Sequence, residues 1–306
     1  AYRDVQVLLF AEIALNYVEV RTLQTRINFA ENNVETQQGS LEITQARLDA
    51  EIVGELDVRQ AELNLASTEA FIPTLRSAML KAINRLGVLL GEFPSALYDE
   101  LIAPMPIPQP TDSIMLSMPA DLLRQRPDIR QAERELAAQN ARVGVATSVL
   151  YPRFVLLGDV GFVGRSDIFD YTKGGGSIGR SLRWNIFDGG RVRNFIRVED
   201  ARTQQALVRY EQTVLDALEE VENSMISYTE EIKRREFLED SVEAAQKSVD
   251  LVNTLYITGL TDFQNVLDME RSLFAQEDDY ASSQGSVTQN LIRIYRALGG
   301  GWNTEP

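Results

Sequence analysis

The sequence predicts a mainly α fold, built from very long antiparallel α-hairpins in two structural repeats, with one β-hairpin of the transmembrane-barrel type. Three observations predict it. Two stretches of helical periodicity run well past the length of an ordinary globular helix. A pair of glycine-marked breaks divides the chain into two similar units. Between the units lie two runs of about ten residues whose period approaches two, the length of a tilted membrane strand.

The first repeat covers residues 1–91. Residues 1 to 51 carry no Pro and one Gly, Gly39, and apolar residues recur at helical spacing through Leu9, Ile13, Val20, Leu23, Ile27, Val34, Leu41 and Leu48. A break at Ile52-Val53-Gly54 precedes a second helix, with Asp57 as its expected N-cap and Gly91 as its stop after Leu90. Residues 92–126 read as a strap with a short helix. Pro94, Pro104, Pro106, Pro108, Pro110 and Pro119 favour extended backbone over a packed element, and a helical pattern returns after Pro119. A helix leading to the hairpin fills residues 127–150, breaking at Pro127 and continuing from Asp128.

The hairpin region is residues 151–188, with strands expected over Arg153–Gly164 and Ser177–Phe187. Phe154, Leu156, Val160 and Phe162 share one face of the first run. Ile178, Leu182, Trp184 and Ile186 share one face of the second, where only Arg180 spoils the apolar side. These eight are the expected membrane-facing residues. Gly174-Gly175-Gly176 fall in the expected loop, and with Gly179 they formally match G-x-G-x-x-G. The dinucleotide motif follows a strand and opens a helix, whereas these glycines precede a strand.

The second repeat is residues 189–298, followed by a tail, 299–306. Its long helix runs from Gly190 to about Leu255, roughly 65 residues or about 100 Å at 1.5 Å per residue. Leu207, Val214, Val221 and Tyr228 are seven apart, and Leu218, Met225 and Ile232 form a parallel series, together an a/d-type seam expected to be core. A break at Ile257-Thr258-Gly259 leads into a last helix ending near Leu298. Gly54 and Asp57 pair with Gly259 and Asp262 across the repeats. Glu12-Ile13 pairs with Glu220-Val221, and Leu89-Leu90-Gly91 with Ala297-Leu298-Gly299. Only the second copy is preceded by a β-hairpin, so the repeat predicts another upstream of Ala1.

Composition narrows the chemistry. The net charge is −15, with 45 acidic and 30 basic residues, which argues against nucleic-acid binding, since that needs clustered cations to displace counterions. Cys and His are both absent, removing thiolate and imidazole metal sites, Cys nucleophiles and Ser-His-Asp relays. No catalytic, cofactor or metal constellation is expected. The carboxylates are too many to single out an acid–base pair, because most must form solvated helix faces.

Four stretches carry a resemblance: LRQRPDIRQAERELAAQNARVGVATSVLYPRF (123–154), WNIFDGGRVR (184–193), YEQTVLDALEEVE (210–222) and ALGGGW (297–302). Through them the whole chain resembles the outer-membrane factor family, the TolC-like and OprM-like efflux ducts of Gram-negative bacteria. The resemblance implies a homotrimer sharing a β-barrel in outer-membrane lipid, with a long periplasmic α-barrel and an equatorial collar near 92–125. It also implies a periplasmic adaptor, or membrane fusion protein, and an inner-membrane pump as partners. Relative to that family the chain lacks the first hairpin, the helix before it and a lipid-anchored Cys.

The resemblance places adaptor-docking turns at Val53, Gly54 and Glu55 and at Thr258, Gly259, Leu260 and Thr261. The first turn departs from the family in carrying Glu55 where a small or apolar residue is common. An acidic aperture at the start of the last helix implicates Asp268, Asp262 and Asp57, with Tyr256 nearby. Asn265, one helical turn before Asp268, stands at a position often acidic in the family. From the residues themselves, Asp57 and Asp262 read first as helix starts, and Tyr256 first as a packed aromatic, with a link across the tip as its alternative. Two functions follow: a passive trimeric outer-membrane export duct, or a soluble periplasmic coiled-coil scaffold without channel activity.

Overall fold

Apolar periodicity in the first stretch gives helix α1, Tyr2–Asp49, which reverses into α2, Glu55–Leu89. Val20, Leu23 and Ile27 of α1 bury against Leu75, Met79, Ala82, Ile83 and Leu86 of α2. Leu101 closes this cluster from α3, the four-residue helix Tyr98–Leu101, which the Pro-rich composition does not predict. Truncating a buried side chain here, such as Ile83, would cost about 2–5 kcal/mol. The remaining elements are α4, Pro127–Ser148; β1, Arg153–Val163; β2, Lys173–Arg183; α5, Arg191–Ile257; and α6, Phe263–Ala297.

This computed structural model describes residues 2–109, 126–163 and 173–300. The helix expected after Pro119, the centre of the hairpin loop and most of the tail lie outside the described residues. Within the strap, Ile107 is buried and the Thr288 hydroxyl donates to the Pro108 carbonyl at 2.8 Å. The strap therefore packs, where its prolines alone suggested only extension. At Gly87 an added Cβ would lie 2.7 Å from the Phe93 carbonyl, so α2 needs glycine where the strap leaves it.

The chain divides into two units, Ala1–Pro127 with Ala217–Pro306, and Asp128–Asp216. In the first, α5 packs on α6 through Tyr228, Val287, Leu291 and Ile294, flanked by Met225 and Ile232, and Val221 is fully buried. The predicted seam is core here. In the second unit it is not: Leu207 is exposed and lines an open groove with Leu136 and Ala137. The α4 face in that groove mixes Leu136 and Ala137 with Glu133 and Asn140, and it leaves Leu207 exposed. Polar contacts tie these helices instead, with Gln139 donating to the buried Glu199 at 2.7 Å.

The hairpin is antiparallel, with Phe154 opposite Leu182, Leu156 opposite Arg180, Gly158 opposite Ile178 and Val160 opposite Gly176. Phe162 stands opposite Gly174 in the same register. The expected second strand is thus displaced. Gly174, Gly175 and Gly176 belong to β2 and not to the loop, while Trp184 and Ile186 lie beyond its end. The pairing explains the shift, because glycines of β2 stand opposite the bulky Val160 and Phe162. As these glycines open no helix, the dinucleotide motif still fails.

The two repeats match in their helix boundaries at a constant offset of 208 residues: Glu55 to Phe263 at the starts of α2 and α6, Leu89 to Ala297 at their ends. Four helix ends stop the same way. A left-handed residue (Glu51, Gly91, Gly259, Gly299) follows the helix, and the next N–H reaches back to a carbonyl five residues earlier. The register corrects the sequence pairing at the turns. Glu51, not Gly54, corresponds to Gly259, and Gly54 corresponds to Asp262, both N-caps with extended backbone.

Candidate functional site at the helix turns and the hairpin

The turn after α1 runs through Glu51, Ile52, Val53 and Gly54, and the turn after α5 through Gly259, Leu260, Thr261 and Asp262. In this register Ile52 matches Leu260, and both are exposed, at 61% and 75%. Each turn therefore presents one large apolar side chain at the same position. The charge at Glu55 matches Phe263, the first residue of a helix, so it lies outside the turn. Leu56 and Ile257 add further exposed apolar surface, and Thr258 folds back, its hydroxyl donating to the Thr254 carbonyl at 3.1 Å.

Of the two expected helix starts, only Asp262 stands at an N-cap. Gly54, not Asp57, is the N-cap of α2, and Asp57 sits in the first turn with its backbone N–H on the Gly54 carbonyl at 3.1 Å. Asp262 is the N-cap of α6 but makes no side-chain capping bond. It shares an exposed face with Asn265 and Asp268, three residues apart along the first two turns. Asn265 donates to the Thr261 hydroxyl at 2.8 Å, and Asp268 accepts from Gln264 at 3.0 Å. Asp57, on α2, occupies the position in its own repeat that Asn265 occupies in the other, and is half-buried.

Tyr256 is buried, its ring 5.3 Å from that of Phe263 and its hydroxyl 3.4 Å from the Thr44 hydroxyl of α1. It is both the packed aromatic and a link to a neighbouring helix. Sequence reasoning missed its main partner, Arg47. The Arg47 guanidinium lies 4.5 Å from the Tyr256 ring centroid and donates to the carbonyls of Tyr256, at 2.5 Å, and Ile257, at 3.2 Å. A cation thus caps the C-terminus of α5, satisfying the Ile257 carbonyl and adding to the Gly259 N–H on the Tyr256 carbonyl. The one visible signal was a basic residue in the last turn of α1.

Behind the exposed acidic face, Glu270 is buried. Ser40 and Asn64 both donate to its carboxylate. Burial pushes its pKa up, opposed by those two bonds and by the Arg271 charge. Glu277, one heptad on, is pushed up by burial against a bond from Asn33.

On the hairpin, Phe154, Leu156, Val160, Ile178 and Leu182 share one face and are all more than 60% exposed, with Arg180 among them. Beyond the strands, Trp184 donates to the Leu150 carbonyl at 3.0 Å, and Tyr151, Ile186 and Phe187 are exposed. The junction to α5 turns at Gly189 and Gly190, both at positive φ. Asp188 accepts from the N–H groups of Gly190, at 3.0 Å, and Val192, at 2.8 Å. These bonds hold its carboxyl below the ordinary range. Among the described residues, no helix is long and apolar enough to cross a membrane, and no Asp/Glu group could hold a metal.

A family model described as outer membrane efflux protein matches residues 1–92 and 118–300. The chain belongs to the outer membrane efflux protein family. "Nodulation protein T" of Rhizobium leguminosarum bv. trifolii is 28% identical over 99% of this chain and 66% of its own length. The "Toluene efflux pump outer membrane protein TtgF" of Pseudomonas putida is 28% identical over 98% and 62%. A solved structure of the outer-membrane channel OprN is 39% identical, with a TM-score of 0.89 over 98% of this chain and 68% of that one. The chain thus spans somewhat under two thirds of these curated relatives. Membership places it in the outer membrane, extending into the periplasm, among channel and transport proteins.

Two of the stretches that carried the resemblance to outer membrane efflux proteins now have physical reasons. In LRQRPD, Arg126 is buried and donates to the Ala297 carbonyl at the end of α6 and to Glu220 at 2.9 Å, while Arg296 reaches the other oxygen of Glu220 at 3.0 Å. Pro127 then opens α4 at the position where no N–H is needed. In FDGGR, Asp188 supplies the cap and the two glycines the left-handed turn.

Proposed function

We propose that the full-length protein is a passive homotrimeric duct that conducts solutes from a periplasmic pump complex to the exterior. The observation that carries this reading is the hairpin: one face of exposed apolar side chains on paired strands of eleven residues, in a chain whose family is built to cross the outer membrane. Such a face is stable only against lipid or other apolar surface. Tyr151, Trp184 and Phe187 beyond the strands suit an interfacial girdle, where aromatic rings keep one edge in the headgroups.

Association of copies is supported by an apolar groove of about 510 Å³ between the start of α1 and the end of α6, lined by Val7, Phe10, Ala14, Ile292 and Tyr295. The turns around Ile52 and Leu260 are docking points for a periplasmic adaptor, which links the duct to an inner-membrane pump. The Asp262, Asn265 and Asp268 face forms the aperture, with Asp57 beside the equivalent position of the first repeat. Arg47 on Tyr256 holds the two turns together at rest. The duct has no enzymatic step. Planar-bilayer recording of the full-length protein tests the reading: stable ionic conductance is expected, and a trimer silent under every opening condition would overturn it.

A further inference from the structure

Toward the turn, the face of α1 that meets α6 is polar. It presents Asn33, Gln37, Ser40 and Thr44, all buried, at seam spacing of four, three and four. Opposite stand Glu277, bonded to Asn33, and Glu270, bonded to Ser40. Gln37 lies between those contacts along α1. It is 2% exposed, and both its amide nitrogen and its amide oxygen are buried without a partner.

That orphan amide sits in a seam of mismatched groups. Ser40, Asn64 and Asn33 each donate, which suits ionised carboxylates, yet burial disfavours ionisation. A protonated carboxyl needs an acceptor for its own O–H, and none is supplied by these three bonds. Gln37 Oε1 is a buried acceptor without a donor, and Gln37 Nε2 a buried donor without an acceptor. Few charges bear on the pair. From α6, Arg271 lies by Glu270 and spends its Nε on Asn64 of α2 at 2.9 Å. From α1, Arg26 is committed to Asp278 through two bonds of 2.7 and 2.8 Å, and Arg47 to the end of α5. From α5, Ser241 meets Gln276 and brings no charge.

We propose that this seam is a proton-operated clasp: Glu270 and Glu277 take up protons as the surroundings acidify, and Gln37 closes the hydrogen-bond chain between them, tightening α6 on α1. The sign follows from the raised pKa values of both groups. Their contribution is fully present below the unfolded carboxylate range and is lost as pH rises through the folded values. The device goes beyond the conduit reading and is measured without conduction.

Amide hydrogen exchange on the intact chain, corrected for intrinsic rates, tests it across mildly acidic to neutral pH in residues 30–44 and 266–281. In the parent, protection rises on acidification, by up to about tenfold per pH unit for each linked proton. Glu270→Gln and Glu277→Gln each remove part of that slope, the double variant abolishes it, and Gln37→Leu blunts it. Should the double variant misfold, the single variants decide alone. A slope as steep as the parent's in both Glu270→Gln and Glu277→Gln overturns the proposal, as does parent protection that falls on acidification.

Discussion

Where α1 crosses α6, an added Cβ at Gly285 would lie 2.1 Å from the Thr22 hydroxyl and 2.8 Å from its methyl. Thr22 cannot easily retreat, because its hydroxyl donates to the Val18 carbonyl at 2.9 Å. Gly285→Ala should therefore destabilise by about 1–3 kcal/mol, with Thr22→Ala restoring much of the loss in a double-mutant cycle read by denaturant unfolding. Arg47 is a different case, since its loss strands the Ile257 carbonyl, removes one of two donors to the Tyr256 carbonyl and bares a tyrosine face without creating a clash. Arg47→Ala should cost about 1–2 kcal/mol, seen as faster exchange confined to residues 252–262. Asp188 gives a pH prediction. Its carboxyl is held low by two backbone N–H bonds, so its support is present above the ordinary carboxylate range and lost as pH falls through the depressed value. Asp188→Asn should flatten that acid limb in thermal melts followed by circular dichroism.

Helix stops and strand faces behave as units. Glu51 holds a left-handed φ of 59° where the other three stops use glycine. Glu51→Gly should stabilise the first turn by up to about 1 kcal/mol, measured as a higher unfolding midpoint; an unchanged or lower midpoint would mean that Glu51 makes a compensating interaction. On the hairpin, Val160→Arg places a charge on the apolar face. In lipid it should cost about 2–4 kcal/mol near mid-bilayer, read as lower folding yield of the full-length protein into vesicles. The long helices and their repeat were legible because a 3.6-residue period sustained over dozens of positions has few rivals. The second strand was misplaced because three consecutive glycines look like a loop until their partners, Val160 and Phe162, are known. Leu207 was misread because heptad spacing gives a stripe but not the residues that must cover it. Arg47 and Glu270 were invisible for another reason: their partners lie some two hundred residues away, and Gln37 was missed because a polar residue at seam spacing reads as solvated surface.

For the assembled protein, the exposed face of Asp262, Asn265 and Asp268 matters only if copies bring it to a shared axis. If they do, Asp262→Asn with Asp268→Asn should weaken cation preference in bilayer reversal potentials, while Asp57→Asn alone changes it less; equal selectivity in all three would place the aperture elsewhere. The outer-membrane assignment was legible from the sequence through the family's own stretches. The tip geometry was not, because a three-residue slip in pairing the repeats moved Glu55 into a turn it does not occupy.

The equal returning helices have a further consequence. Since α2 and α6 each hold 35 residues and stop in the same way at both ends, they act as two legs cut to one length. Lengthening either by a heptad would leave its turn about 10 Å beyond the other, and a partner touching both would meet only one. Insertions in these legs should therefore be tolerated only in matched pairs, so that a swap of whole hairpins between relatives is safer than any single extension.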